Sequence, residues 1–258
     1  MAEHLKLISP GAARPVPGQF IETDTAADIL HSLGVVYQRP GEYVGLIAGA
    51  PGVGKSEAIR HFKRVETSVF IHKAVRNEGG VWNLANELCR MLEIDEPDAR
   101  QLPKERRRIA EAFGAESMLI IDEAQYLVQL NTRGKDDWQA FEWLRFMAED
   151  GMLSLVFCGD LTLCELETIA PPLRRRMRRR NIVNRAPKAD VMAIAEQWGL
   201  TDTKAVDLLF IVARKGGALG DTVNVCREAR NFAGEGQIGL DHVQAAIEDL
   251  KLLQRLFK

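Results

Sequence analysis

The 258-residue sequence contains no long apolar segment and no recognisable export signal. Its most apolar runs, residues 118–121 and 153–158, are far shorter than the roughly 18 residues that a membrane-spanning helix needs. The beginning of the chain also lacks the charged and then apolar pattern of a signal peptide. We therefore expect a cytosolic protein without a membrane partner.

Cysteine and histidine are scarce, and neither is arranged for a metal or a disulfide framework. The four cysteines are Cys89, Cys158, Cys164 and Cys226. None of them forms a CxxC pair, and the five histidines show no ligand spacing. We interpret the cysteines as reduced structural thiols. With 46% hydrophobic and 27% charged residues, the composition also excludes a disordered or fibrous chain.

The charges are nearly balanced in number but uneven in position. The formal net charge is -2, from 34 Lys and Arg against 36 Asp and Glu. Residues 168–189, the basic stripe, hold eight basic side chains and no acidic one, so the rest of the chain has a balance of -10. A small net charge therefore does not exclude a nucleic-acid partner.

Short apolar runs alternate with amphipathic segments from Tyr43 to Asp160. The runs predict buried strands and the amphipathic segments predict helices. This alternation indicates an α/β fold with a parallel sheet covered by helices on both faces. The predicted strands are residues 43–49, 68–75, 117–123 and 153–159, and the predicted helices are residues 56–64, 81–92, 103–113 and 138–149.

After Pro187 the apolar residues recur at helical spacing and strand patterns disappear. This change predicts a small C-terminal all-helical domain after the α/β core. We place the flexible N-terminal lead-in at residues 1–19, the core at 20–187 and the helical domain at 188–258.

A glycine-rich segment follows the first predicted strand and matches the pattern G-x-x-x-x-G-K-[ST]. Glycines let successive backbone N–H groups face phosphates, and the following helix N-terminus adds its positive dipole end. Lys55 would reach the β- and γ-phosphates of ATP, and the Ser56 hydroxyl would ligate Mg²⁺. The predicted nucleotide-binding residues are Gly49, Ala50, Pro51, Gly52, Val53, Gly54, Lys55 and Ser56.

The apolar strand MLIIDE ends in two adjacent acids. Acids at the end of a buried strand are costly unless they serve a cation or a reaction. We predict that Asp122 holds Mg²⁺ and that the catalytic residue Glu123 polarises the attacking water. The other interpretation is that the strand runs directly into a helix, whose N-terminus favours acidic residues.

Asp160 follows the next strand, whose tip should lie beside the γ-phosphate because parallel strands present their carboxyl ends to one crevice. It would act as a sensor of the phosphate or of the attacking water. Alternatively, it caps a helix that begins at Leu161. The sequence does not distinguish these two interpretations.

The arginine run of the basic stripe, residues 174–180, precedes a strand-like segment at Asn181–Val183. These arginines have three interpretations. They form a solvated face, a phosphate-binding surface, or an arginine finger that completes the ATP site of a neighbouring subunit. We prefer Arg176 as the finger, with Arg174 and Arg175 as alternatives, and expect the other arginines to face anions. Each of four further basic residues is either a solvated side chain or a contact to DNA phosphates that does not read sequence, and we prefer Arg133 and Lys135 for the contact. The four residues are Lys73, Arg76, Arg133 and Lys135.

Taken together, these motifs resemble those of P-loop AAA+ ATPases: GAPGVGKS, MLIIDEAQYL, a strand ending FCGD, arginines after PPL, and C-terminal helices that would form a lid. Three strings resemble the transposition-regulator branch of that family, the group of phage Mu transposition protein B and TnsC. They are FIETDTAADILHSL, DEAQYL and GGAL. The resemblance runs from about Phe20 to Leu253.

The resemblance implies more than the residues alone. Members of this branch assemble on duplex DNA as ATP-bound filaments or rings, with little sequence preference. They deliver target DNA to a transposase and activate it, and the transposase in turn stimulates hydrolysis and release. By this resemblance the adenine would lie near Phe20 and Ile21, the finger position falls near Arg176, and the protein works in the cytoplasm of a bacterial host.

Two departures from the family pattern predict slow intrinsic hydrolysis. The segment GGALGD carries no lid arginine, so Arg214 or Arg227 would have to substitute, and Asp160 is acidic where the family more often has Asn, Ser or Thr. Other functions consistent with the motifs are a secretion-associated ATPase of the ExeA type, a replication helicase loader, and a nucleotide switch that binds only protein.

Overall fold

The computed structural model describes residues 20–76, 80–130, 136–165 and 171–252. These residues form two compact units. One unit spans Asp24–Arg185, and the other contains residues 20–23 together with residues 186–252. The boundary before the C-terminal helices thus falls at residue 186, and the predicted lead-in 1–19 lies outside the described residues.

The Asp24–Arg185 unit is built on a five-stranded parallel sheet with the order β2-β3-β6-β1-β7. A separate two-stranded antiparallel ladder pairs β4 with β5. In chain order the strands are β1 (Val44–Gly49), β2 (Val69–Lys73), β3 (Met118–Asp122), β4 (Gln129–Leu130), β5 (Asp136–Asp137), β6 (Ser154–Gly159) and β7 (Met177–Val183).

Helices separate the strands, as expected for parallel neighbours that need a crossover connection. Two short 3₁₀ helices, at Ala124–Leu127 and Leu161–Glu165, follow β3 and β6. No helix in the described part of the chain has the length and apolar character needed to cross a bilayer. The α-helices of this unit are α1 (Asp24–Tyr37), α2 (Lys55–Val65), α3 (Val81–Met91), α4 (Leu102–Phe113), α5 (Gln139–Gly151) and α6 (Pro171–Arg176).

Strands β1, β3 and β6 are buried along their whole length because helices cover both faces of the sheet. Alternate residues of β1 divide between the two faces. Leu46 joins a core with helices α3, α4 and α5, while Ile47 lies with residues Leu33 and Val36 of α1. The predicted α/β fold with a parallel sheet between helices is therefore confirmed.

The position of the arginines relative to the last strand was predicted incorrectly. We expected the run to precede a strand at Asn181–Val183, but β7 begins at Met177. Arg174–Arg176 end α6, and Arg178–Arg180 lie within β7. Strand β7 pairs in parallel with the buried β1, so this pairing imposes an extended backbone on residues whose local sequence gives no strand signal.

The second unit contains a small helical bundle, as the apolar spacing predicts. The central helix α9 packs against α7, α8 and α10. Arg230 of α9 donates to the Gly236 carbonyl at 2.7 Å and to the Trp198 carbonyl at 3.1 Å, which ties the ends of two loops to this helix. The helices are α7 (Lys188–Gln197), α8 (Thr203–Lys215), α9 (Ala218–Ala233) and α10 (Leu240–Asp249).

The burial of the cysteines leads to a testable difference in their reactivity. Cys89, Cys158 and Cys226 are buried, and Cys164 is partly exposed. Burial raises the pKa of the Cys226 thiol to about 12, so almost none of the reactive thiolate is present at neutral pH. We expect iodoacetamide to label Cys164 first in the native protein, and all four cysteines after unfolding. Mass spectrometry of the labelled peptides measures this order, and early labelling of Cys226 would contradict it.

Candidate nucleotide site

The glycine-rich segment Gly49–Ser56 includes the last residue of β1, the loop that follows it and the first two residues of α2. Gly52 and Gly54 have φ angles of 80° and 94°, which residues other than glycine rarely adopt. Gly49 is required for a different reason, since a Cβ there would lie 2.7 Å from the Val183 carbonyl oxygen. The next residue, Ala50, donates its N–H to that same carbonyl at 2.9 Å. The loop is therefore anchored to the end of β7.

Helix α2 begins immediately after this loop, and its N-terminus is open to an anion. Gly54 has no side chain with which to cap the helix, and the Ala58 N–H is the donor to the Gly54 carbonyl at 3.0 Å. The N–H groups of the first turn consequently have no carbonyl partner within the helix. Together with the helix dipole they favour negative charge, and phosphate most of all.

The Lys55 side chain folds back over the loop. Its Nζ donates to the carbonyls of Gly49 at 2.7 Å and Ala50 at 3.0 Å. An ammonium group has three donors, so these two bonds leave capacity for a phosphate oxygen. The loop thus combines backbone donors, a helix N-terminus and a positive charge.

Ser56 and Asp122 meet where β3 ends. The Ser56 hydroxyl donates to Asp122 Oδ2 at 2.9 Å, and the backbone N–H of Glu123 donates to Oδ1 at 3.0 Å. Asp122 is only 7% exposed, so these bonds compensate for its burial. Burial, and then the neighbouring Asp122 carboxylate, raises the pKa of the Cys158 thiol well above its ordinary value. Cys158 on β6 therefore remains a neutral thiol beside this carboxylate.

Glu123 occupies a strained backbone conformation directly after β3. Its φ and ψ angles are 55° and 35°, in the left-handed region that costs a residue with a side chain roughly 1–3 kcal/mol. This conformation turns the chain from β3 into the 3₁₀ helix Ala124–Leu127. The half-buried carboxylate accepts a 2.6 Å hydrogen bond from Gln125 Nε2. Glu123 is therefore held at the same end of the sheet as the glycine-rich loop.

Asp160 makes capping contacts at the tip of β6. Its Oδ1 accepts from the Thr162 N–H at 2.9 Å and from the Thr162 hydroxyl at 2.5 Å, which fits a cap of the 3₁₀ helix Leu161–Glu165. Its backbone N–H donates to Gln125 Oε1 at 3.2 Å. A sensor role for its carboxylate stays a prediction. Gln125, which lies in the DEAQ segment, was not among the predicted site residues.

The three candidate finger arginines differ in their surroundings. Arg174 and Arg175 are exposed at the end of α6. Arg176 lies 3.2 Å from Glu149, which also holds Arg145 at 2.6 Å. The Arg176–Glu149 pair is partly exposed, and such pairs contribute at most about 1 kcal/mol, so Arg176 can leave Glu149 at little cost.

The predicted DNA-contacting residues fall partly within the described structure. Lys73 ends β2 and is exposed, and Arg76 is exposed three residues further on, with its guanidinium 6.0 Å from the centre of the Tyr126 ring. Arg133 and Lys135 lie outside the described residues. The two residues predicted near adenine, Phe20 and Ile21, are half-buried and belong to the unit that contains the C-terminal helices.

The structure therefore brings one group of predicted residues together at the carboxyl ends of β1, β3 and β6. Ser56 bonds Asp122, Lys55 folds over the loop, and Gln125 connects Glu123 with Asp160. Parallel α/β sheets bind ligands at this edge. Hydrogen-bond donors for phosphate thus lie beside two acids, and this arrangement is suited to binding and hydrolysing a nucleoside triphosphate.

Two family models match the chain. The model described as AAA domain matches residues 38–166, which is half of the chain. The model described as Mu B transposition protein, C terminal, matches residues 175–250, from the end of α6 to just beyond α10. The first match covers the glycine-rich loop, β3 and β6, and it includes Glu123, Gln125 and Asp160. The candidate finger arginines 174–176 and the two residues predicted near adenine lie outside it.

Curated relatives match along most of the chain. ATP-dependent target DNA activator B of Escherichia phage Mu is 29% identical over 249 residues, which cover 93% of this chain and 76% of the relative. The Mu-like prophage FluMu DNA transposition protein B of Haemophilus influenzae is 27% identical over 208 residues, covering 78% of this chain and 69% of the relative.

Solved structures with the same fold have low sequence identity. Cdc6p from Pyrobaculum aerophilum has a TM-score of 0.62 at 13% identity and covers 90% of this chain and 69% of its own. The Aeropyrum pernix ORC2 protein has a TM-score of 0.60 at 16% identity and covers 88% of this chain and 67% of its own. At this identity the likeness concerns the fold alone. On the evidence of the family models and the relatives, the chain belongs to the AAA family of ATPases, within which it resembles the transposition-regulator branch.

Proposed function

We propose that this ATPase binds duplex DNA without sequence preference when loaded with ATP, assembles on it as a helical filament or ring, and delivers it to a transposase that it activates. The observation that carries the proposal is the similarity to a target DNA activator along 93% of the chain. ATP hydrolysis then acts as the release step, and the transposase stimulates it. The positions of the site residues are consistent with this cycle.

Mg²⁺ would be held by Ser56 and Asp122. A hydroxyl and a carboxylate are the hard oxygen donors that Mg²⁺ accepts, and the remaining positions are usually filled by water and phosphate oxygens. The 2.9 Å hydrogen bond between them supports this assignment, because the two oxygens lie close together beside the glycine-rich loop. When bound, the ion would neutralise charge that develops on the phosphates during transfer.

The remaining chemistry falls to side chains of this chain and of a neighbouring copy. The glycine-rich loop and Lys55 would bind the triphosphate, and Glu123 would orient and polarise the attacking water. An arginine from a neighbouring subunit, with Arg176 preferred and Arg174 or Arg175 as alternatives, would complete the site. Hydrolysis would therefore depend on assembly.

Contact with DNA would come from basic residues at or beyond strand ends. Lys73 and Arg76 are exposed where β2 ends, and Arg133 and Lys135 lie between β4 and β5 in the sequence. Phosphate contacts of this kind position a duplex without reading its sequence. Repetition of these residues in an assembly would give a basic surface even though one chain carries a net charge of -2.

Binding to duplex DNA in a non-hydrolysable ATP analogue tests the proposal directly. We expect affinity to fall by more than tenfold between about 50 and 200 mM salt, because each phosphate contact releases counterions. Lys55→Ala is the matched control, since it removes nucleotide binding but leaves the proposed DNA residues in place. Electron micrographs should show filaments or rings around DNA. A protein that stays monomeric and does not bind DNA at any salt concentration would overturn the proposal.

Addition of the transposase distinguishes the proposed role from other DNA-linked ATPases. We expect the cognate transposase to accelerate hydrolysis by the DNA-bound protein and to release DNA, whereas a helicase should have neither effect. The reverse result would favour a helicase loader, and an ATPase that responds only to protein partners and never binds DNA would favour a nucleotide switch.

A further inference from the structure

Gln125 connects the ends of two neighbouring strands. It lies in the 3₁₀ helix that follows Glu123, and its side chain reaches in two directions. Nε2 donates to Glu123 Oε2 at 2.6 Å, and Oε1 accepts from the backbone N–H of Asp160 at 3.2 Å. Because Glu123 follows β3 and Asp160 follows β6, the carboxamide fixes the acid relative to the tip of the adjacent strand.

The chemistry of the two partners determines how the carboxamide is oriented. A backbone N–H can only donate, and an ionised carboxylate can only accept. The oxygen of Gln125 must therefore face Asp160 and the nitrogen must face Glu123, because the flipped amide would leave both contacts unfavourable. Glutamate would place an acceptor against the carboxylate, and methionine would offer neither a donor nor a comparable acceptor.

Gly159 provides the space for this side chain. A Cβ added at Gly159 would overlap Gln125 Oε1 and would lie 2.8 Å from Leu163 Cδ1. Gly159 lies within β6 and is not among the glycines with positive φ, so backbone conformation does not require a glycine there. The close approach of Gln125 is a sufficient reason for glycine at this position.

We propose that Gln125 is a positioning residue that holds the Glu123 carboxylate in its productive orientation for ATP hydrolysis. This inference rests on the proposed role of Glu123. A carboxylate that rotates away from the attacking water loses catalytic power even when ATP binds normally, since displacements of about 1 Å can cost 10²-fold in rate. The connection to Asp160 also makes this orientation depend on the tip of β6.

The test uses substitutions that retain the length of the side chain. We expect Gln125→Glu and Gln125→Met to lower kcat by at least about tenfold while KM and the affinity for ATP change less than about twofold. Gln38→Ala is the matched control, because Gln38 is exposed just after α1, and it should retain the original kcat. Thermal unfolding of each variant shows whether folding is intact, and Gly159→Ala offers a second way to displace the carboxamide.

Coupling to Glu123 separates positioning from a general structural role. In the Glu123→Gln background, Gln125→Met should produce no further loss of the residual single-turnover rate. An equal loss in both backgrounds, or a loss of kcat matched by a loss of ATP affinity and Tm, would overturn the inference. If Glu123→Gln were inactive and Gln125→Met fully active, the role of Gln125 would be overturned and the role of Glu123 would stand. Full turnover by Glu123→Gln would instead refute the proposed role of Glu123 itself.

Discussion

Glu123→Gln should abolish ATP turnover and trap the protein on DNA. The amide keeps the size of the side chain but cannot accept a proton from water, and loss of a general base typically costs about 10²–10⁴-fold in rate. The glycine-rich loop, Lys55 and the Ser56–Asp122 pair remain, so we expect ATP affinity to be retained. A steady-state ATPase assay beside a DNA dissociation assay measures both effects.

Lys55→Ala provides the contrast for this trap. It removes the positive charge over the loop, so the variant should lose ATP binding and with it retention on DNA. Both variants are inactive, but Lys55→Ala fails at ATP binding and Glu123→Gln fails at ATP hydrolysis. If Glu123→Gln left DNA as rapidly as the original protein, hydrolysis would not be the release step.

Loss of the arginine finger is expected to have an effect of similar size. Substitution of the finger arginine by alanine should lower hydrolysis by on the order of 10³-fold without abolishing ATP binding. We expect this result for Arg176→Ala, with Arg174→Ala and Arg175→Ala tested in parallel because both residues are exposed. If all three variants hydrolysed ATP as fast as the original protein, none of the arginines 174–176 would be a finger.

Mixing two inactive variants gives a sharper measurement than either variant alone. A finger acts across a subunit interface, so an Arg176→Ala subunit beside a Glu123→Gln subunit would form a complete site from two damaged chains. In an equimolar random assembly about a quarter of the sites are complete, and the rate should recover to about that fraction. A simple loss of the Arg176–Glu149 ion pair would instead lower Tm and would not recover on mixing.

The sequence predicted the buried strands well because each is a compact apolar run with polar or glycine residues at its ends. Strand β3, for example, was expected at residues 117–123 and spans Met118–Asp122. Helix α1 was not predicted, although Ala26, Ile29, Leu33 and Val36 have helical spacing and are buried.

The parts of the site that follow from local sequence were also predictable. The loop from Gly49 to Ser56 and the acids after β3 are contiguous motifs, and the structure places Ser56 and Asp122 within hydrogen-bonding distance. Gln125 was missed because its second partner, Asp160, is 35 residues away in the chain. The Arg176–Glu149 contact was missed for the same reason, since only tertiary packing brings them together.

Strand β7 is an outermost strand of the sheet formed by the described residues, and arginines occupy its middle. An open strand edge can template pairing with another sheet and so begin amyloid-like aggregation. Two such edges with exposed guanidinium groups of Arg178 and Arg180 would repel one another if they approached. The strand is therefore protected from uncontrolled aggregation even when many copies are crowded together.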